Sequence, residues 1–172
     1  DEALRLGVNP TEVVLPLAEA VIAQGKPGQL LNQTRFAHAS LPADLKLKLL
    51  LLKAAAASDV GSSRDAIKLL EEARTIDAKN AATWAAEVPI RVRARQMNEA
   101  KAAAEKAVGL DPKSAQAAYE YASVAHIAGD LKTAIARYTK TLEIKPDHVN
   151  ALVARAGLYI DLKRFDEADV DV

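Results

Sequence analysis

The stretch that decides the fold is residues 115–148, AQAAYEYASVAHIAGDLKTAIARYTKTLEIKPDH. Its pattern returns every 34 residues along the chain. The clearest marker of this period is an alanine, which stands at Ala66, Ala100, Ala134 and Ala168. A fixed period of this length predicts stacked supersecondary units, because each unit buries its apolar face only against its neighbours.

Glycine and proline divide each unit into two helices. Gly61 and Gly129 lie two periods apart, where a first helix is expected to end, since glycine takes the left-handed backbone conformation without steric cost. Pro112 and Pro146 mark the connections between units, where a helix interior could not hold them. Each unit is therefore predicted to be a helix, a turn and a second helix.

Small side chains recur where the two helices should cross. With Leu47 as position 1 of a unit, positions 8 and 20 allow two antiparallel helices to approach closely. Position 8 is Ala54, Val88, Ala122 and Ala156, and position 20 holds the four alanines named above. Large apolar residues fill the wider parts of the core, among them Leu50, Trp84, Leu70, Tyr138 and Ile144. Ser62 or Ser63 is predicted to cap the second helix that follows Gly61.

The composition favours an all-α protein that binds neither nucleic acid nor a membrane. Of the 172 residues, 50% are hydrophobic and only 4% are aromatic, which suits closely packed helices. The formal net charge is zero, so no net field attracts phosphate backbones or an anionic membrane surface. The absence of cysteine excludes disulfides and thiolate chemistry but fits either redox compartment. No apolar run is long enough for direct membrane insertion of this fragment.

The sequence offers no catalytic or metal-binding constellation. His38, His126 and His148 show neither the i, i+4 pairing nor the neighbouring carboxylates of a metal site. A glycine-rich phosphate loop and a nucleophile motif are also missing. We therefore expect no enzyme activity and no cofactor.

The repeat resembles the tetratricopeptide repeat (TPR). The resemblance rests on two sets of residues at the spacing of that family: Trp84, Ala100, Ala107 and Pro112, and Ala122, Gly129, Ala134, Tyr138 and Pro146. It implies a right-handed α-solenoid that acts as a non-catalytic scaffold for protein interaction.

The repeat register predicts one TPR solenoid fragment over residues 1–172. Its predicted parts are the tail of a preceding repeat (1–10), an irregular repeat (11–46), three full repeats (47–80, 81–114 and 115–148) and a truncated repeat (149–172). The irregular repeat should contain a short second helix and a longer link. Because a solenoid normally ends in polar caps, we expect the exposed ends of this fragment to permit self-association.

A weaker resemblance concerns the first fifty residues. The order and spacing of residues in 2–7 and 15–25, followed by Leu30 and Leu31, is similar to that in TPR lipoproteins of bacterial PEP-CTERM and exosortase systems for exopolysaccharide export. This resemblance implies a periplasmic, membrane-anchored assembly scaffold. Without it, a cytoplasmic location is expected.

In the TPR family, positions 2, 5, 9 and 12 of first helices face a concave groove that binds proteins or extended peptides. Tyr119, Ser123 and His126 share one stripe of a helix, because i, i+4 and i+7 lie on one face. The alternative is that Tyr119 only packs against an adjacent helix. The predicted peptide-binding residues are Tyr119, Glu120, Ser123, His126, Asn150, Val153, Lys48, Leu51 and Arg93. A carboxylate clamp is not expected, since most clamp positions hold Ala, Ser, Gly or Val.

The unit that starts at Ala81 departs from the pattern. Pro89 falls inside its first helix, which predicts a kink. Arg91, Arg93 and Arg95 form a basic cluster that could attract an acidic peptide or a sugar acid. The alternative is structural: Arg91, which can pair with Glu87 at i, i+4, packs its stem on the core with its head in solvent, and the other two arginines form a solvated helix end.

Taken together, the residues predict a non-catalytic docking surface for a protein or extended peptide. Two alternatives stay open at this point. One is the periplasmic scaffold for exopolysaccharide export, and the other is a regulatory TPR domain of a larger enzyme.

Overall fold

The computed structural model describes residues 9–37 and 40–171. The predicted helix tail before residue 9 and His38 lie outside these ranges. All regular secondary structure within them is helical, which confirms the predicted all-α class. None of the helices formed by these residues combines the length and apolar character that a bilayer-spanning segment needs.

The chain divides into two compact units, of which the first covers residues 1–79. Its helices are α1 (Pro10–Ala23), α2 (Pro27–Asn32), α3 (Ala43–Asp59) and α4 (Ser63–Ile76), with a 3-10 turn at Thr34–Phe36. The second helix, α2, is short and is followed by a longer link, as the sequence indicates. The helix α3 begins four residues before Leu47, the residue at which the repeat register starts this unit.

The second unit covers residues 80–172 and contains two complete helix pairs. Its helices are α5 (Ala81–Arg93), α6 (Met97–Leu110), α7 (Ala115–Ile127), α8 (Leu131–Ile144), α9 (Val149–Asp161) and α10 (Phe165–Ala168), with a 3-10 turn at Asp169–Asp171. The pairs are α5 with α6 and α7 with α8, and α7 also packs against α5. The first helices start at the residues at which the register starts its units.

The small side chains at the predicted crossings are buried. Ala122 and Ala134 are fully excluded from solvent and belong to one core cluster with Tyr138 and Ala151. At the same repeat position as Ala134, Ala66 and Ala100 are also 0% exposed. These alanines therefore set the close approach of paired helices, as predicted.

The first helices of the second unit are capped in register by three different side chains. Asn80, Ser114 and His148 are each N-cap residues, and each accepts a hydrogen bond from the backbone N–H three residues later. On α4 the predicted position of the serine cap is confirmed, but the predicted capping hydrogen bond is not formed. Ser62 occupies the N-cap position, but its side chain makes no capping hydrogen bond.

A positive backbone φ recurs at the repeat spacing, including at turns that have no glycine. Gly61 and Gly129 have positive φ, as predicted, at +85° and +78°. Arg95 and Lys163 stand one period after each of these glycines and have φ values of 59° and 58°. Because a Cβ atom makes this conformation costly, the two turns without glycine are strained by about 1 kcal/mol each.

Replacing Arg95 with glycine is therefore expected to stabilise the second unit by about 0.5 to 1 kcal/mol. The sole tryptophan of the chain, Trp84, lies in this unit and reports its unfolding in urea through fluorescence. The control is Ala94→Gly, since Ala94 has a φ of −75° and glycine there should destabilise. If both variants changed the free energy of unfolding by the same amount, the strain at Arg95 would be contradicted.

Candidate functional site

A cluster of aromatic and polar side chains connects three helices of the second unit. The Tyr119 cluster consists of Tyr119, Ser123 and His126 on α7, Tyr138 on α8, and His148 at the N-cap of α9. The ring of Tyr119 stacks on His148, with centroids 4.8 Å apart and planes 29° apart. It also lies 5.8 Å from the ring of Tyr138, which His126 meets edge-on at 6.3 Å.

The predicted stripe on α7 thus has a structural role and remains accessible as well. Tyr138 is buried, with 2% of its surface exposed. Tyr119, Ser123, His126 and His148 are only half-buried. The cluster therefore offers partly open ring and hydroxyl groups on a base that packing holds in place.

The two tyrosines of the cluster keep their hydroxyl protons at neutral pH. Burial raises the pKa of Tyr138 to about 12, with the neighbouring Tyr119 adding to the rise and a hydrogen bond with Ser123 opposing it. Burial and the nearby Glu120 also raise the pKa of Tyr119. The half-buried Tyr119 can therefore donate a hydrogen bond to a ligand, whereas Tyr138 belongs to the buried base of the cluster.

Glu120 adds a buried carboxyl group beside this cluster. Its exposed fraction is 9%, and its Oε1 accepts a hydrogen bond from Nε2 of Gln116. Burial raises the pKa of the Glu120 carboxyl from 4.5 to about 7, while the bond from Gln116 opposes the rise. Near neutral pH the carboxyl group is therefore poised between its charged and neutral forms.

The remaining predicted residues lie in different places. Asn150 and Val153 are exposed on α9, the helix that His148 caps. Lys48 and Leu51 belong to α3 of the first unit, where they line a cavity of about 290 Å³. Arg93 is the exposed last residue of α5.

The arginines after Pro89 have the predicted structural arrangement except at the head group of Arg91, since Arg93 and Arg95 are exposed at the end of α5. The guanidinium of Arg91 does not point into solvent: its Nε donates to Glu87 at 2.7 Å and its Nη1 donates to Gln96 at 2.7 Å. The pairing with Glu87 is the predicted i, i+4 contact, but Glu87 is 4% exposed, so this ion pair is largely buried. The helix α5 continues through Pro89.

Sequence reasoning missed two members of the cluster. It assigned Tyr138 to the core alone, and it considered His148 only as a possible metal ligand. The repeat could have indicated His148, because residue 148 occupies the same position of the 34-residue repeat as the capping residues Asn80 and Ser114. A side chain at this repeat position caps the first helix of one unit and lies close to position 5 of the preceding unit, as His148 does to Tyr119.

A second accessible surface is the apolar side of α9. Val149, Val153 and Ile160 are 67%, 67% and 52% exposed and line an open groove of about 520 Å³ together with Gly157. The predicted self-association through such a face stays a prediction. At one edge of the groove, Arg155 forms a bidentate ion pair with the buried carboxylate of Asp171.

Within residues 9–37 and 40–171, no group of three or more His, Cys, Asp or Glu side chains is arranged to hold a metal ion.

Part of the second unit matches a known sequence family. The family described as "Anaphase-promoting complex, cyclosome, subunit 3" matches residues 93–169. No curated protein matches the sequence of the chain.

Several solved structures share the fold. A crystal structure of the MamA protein is 23% identical, with 94% of this chain and 87% of that chain covered and a TM-score of 0.63. A MamA fragment from Desulfovibrio magneticus RS-1 is 13% identical, with 95% and 91% covered and a TM-score of 0.65.

The first TPR domain of Spaghetti (RPAP3), solved with the HSP90 peptide SRMEEVD, is also similar. It is 18% identical, with 68% of this chain and 95% of that domain covered and a TM-score of 0.63. At these identities the likeness concerns the fold. With the helix pairs and the repeat register described above, these matches show that the chain has the helical repeat fold of tetratricopeptide repeat proteins.

Proposed function

We propose that the second unit binds an extended peptide segment of a partner protein, without catalysis, along the face that α7 and α9 present. The observation that carries this proposal is the Tyr119 cluster, in which half-buried aromatic and hydroxyl groups lie on a buried base. Aromatic side chains supply contact area at low entropic cost, and fixed hydroxyl groups add directional hydrogen bonds.

Two neighbouring features extend this surface. Asn150 offers an exposed amide and Val153 an exposed apolar side chain on α9. Both follow His148, whose ring stacks on Tyr119, so the start of α9 adjoins the cluster and we extend the proposed surface onto that helix. A peptide lying across it would contact both helices.

The similarity to the RPAP3 domain supports this kind of function, because that domain was solved with a bound peptide. The residues proposed to contact the peptide here do not form a carboxylate clamp. The Tyr119 cluster contains no lysine or arginine, and the charged residues next to its members along the chain are Glu120, Arg137 and Asp147. The export and regulatory roles stay predictions.

The test uses a random library of nine-residue peptides, acetylated and amidated at their ends, selected against the whole chain. Peptides that bind should lose at least tenfold in affinity towards Tyr119→Ala in calorimetry, because the variant removes the central ring. The matched control is Tyr121→Ala. Tyr121 is also half-buried on α7, but its hydroxyl donates to Glu105 on α6. Equal affinity for both variants would reject the site.

A further inference from the structure

Three carboxyl groups are buried among residues 80–171 of the second unit, and they differ in their partners. Glu87, Glu120 and Asp171 are 4%, 9% and 8% exposed. Glu87 forms an ion pair with Arg91, and Asp171 forms one with Arg155. Glu120 has the neutral amide of Gln116 as its hydrogen-bond partner and no ion pair among the described residues.

This difference matters because a buried charge is costly unless an opposite charge compensates it. The fold meets this requirement with an arginine at two of the three positions. At the third position a carboxylate with room for about four hydrogen bonds accepts one, from a side chain that is itself exposed. Gln116 can therefore move away without disturbing the core.

The position of Glu120 connects it to the proposed peptide site. It follows Tyr119 directly on α7, and its charge acts on the hydroxyl groups of both Tyr119 and Tyr138. Its raised pKa has the same origin, since burial without a cation disfavours the charged form. A cation brought in by a ligand would compensate the charge where the protein does not.

We propose that the peptide recognised at the Tyr119 cluster carries a basic side chain, arginine or lysine, which displaces the amide of Gln116 and pairs with Glu120. This inference rests on the proposed function, and it names the chemistry of the partner. A guanidinium group satisfies more of the free acceptor sites, because it donates two parallel hydrogen bonds to one carboxylate. An acidic peptide is disfavoured, since it would place like charges together.

The test continues from the same peptide selection. Peptides bound by the native chain should be enriched in arginine or lysine at one position. In the tightest arginine peptide, changing this arginine to citrulline removes the charge and keeps the shape. Affinity for the native chain should then fall about tenfold to a hundredfold, as for loss of a hydrogen bond to a charged group.

The matched protein variant is Glu120→Gln, which removes the charge of the carboxyl group. Towards this variant, the arginine and citrulline peptides should bind equally well. An equal loss with citrulline in both proteins, or selected peptides without basic residues, would overturn the inference. If those peptides still lose affinity towards Tyr119→Ala, the proposed site stands but the inference about a basic side chain does not. If no selected peptide depends on Tyr119, both proposals are wrong.

Discussion

Replacing Ala122 with arginine is expected to destabilise the second unit by about 4 kcal/mol or more, enough to unfold its central helix pair. Ala122 is 0% exposed and packs in the same core cluster as Ala134 and Tyr138. An arginine there forces a long side chain into a closed crossing and buries a charge that has no partner. The fluorescence of Trp84 during urea unfolding measures the loss.

The matched control for this change is Ala136→Arg. Ala136 lies on α8 of the same helix pair but is exposed, so the new side chain can extend into water. We expect a change of less than about 0.5 kcal/mol there, as for most surface substitutions. Similar losses in both variants would mean that α7 and α8 do not cross closely at Ala122.

Replacing Glu120 with glutamine has the second largest expected effect, and it is stabilising. Burial raises the pKa of the Glu120 carboxyl from 4.5 to about 7, so the folded chain holds this proton more tightly than the unfolded chain does. The stability linked to that proton is fully present below pH 4.5 and is lost as the pH rises through 7. Glutamine resembles the protonated form and should keep it.

The expected difference therefore depends on pH. At pH 8 we expect Glu120→Gln to be more stable than the native chain by about 3 kcal/mol, the free energy equivalent of the pKa shift. At pH 4 the two proteins should unfold at the same urea concentration. The control Glu143→Gln changes an exposed carboxylate that pairs with Lys140, and it should have little effect at either pH. Equal stabilities at pH 8 would show that Glu120 is not desolvated.

These two changes affect neighbouring residues of one helix in opposite directions. Ala122 is optimised for packing, whereas Glu120 weakens the fold at neutral pH. A cost of this kind is typical of residues that serve binding rather than folding. The proposed basic peptide and the pH dependence of stability have the same cause, because a cation from the ligand would offset the cost of the buried Glu120 charge.

The amino-acid sequence by itself determined the helical repeat. A period of 34 residues specifies which positions are small, which are large and where each helix ends, because neighbouring units must bury the same faces in the same order. The burial of Ala66, Ala100 and Ala134 and the left-handed Gly129 follow from this pattern. The stripe of Tyr119, Ser123 and His126 was also visible, since residues on one helix face are set by the helical period alone.

The tertiary structure decided which groups surround that stripe. Tyr138 and His148 come from a second helix and from the cap of a third, and their contacts with Tyr119 depend on how these helices pack. For the buried carboxyl groups, the helical spacing predicted the partner of Glu87 but not the surroundings of the other two. Glu87 meets Arg91 within one helix, but Asp171 meets Arg155 from 16 residues away, and Glu120 meets no cation in the part of the chain that the structure describes. Charge compensation in a core depends on distances across helices, which a linear pattern does not specify.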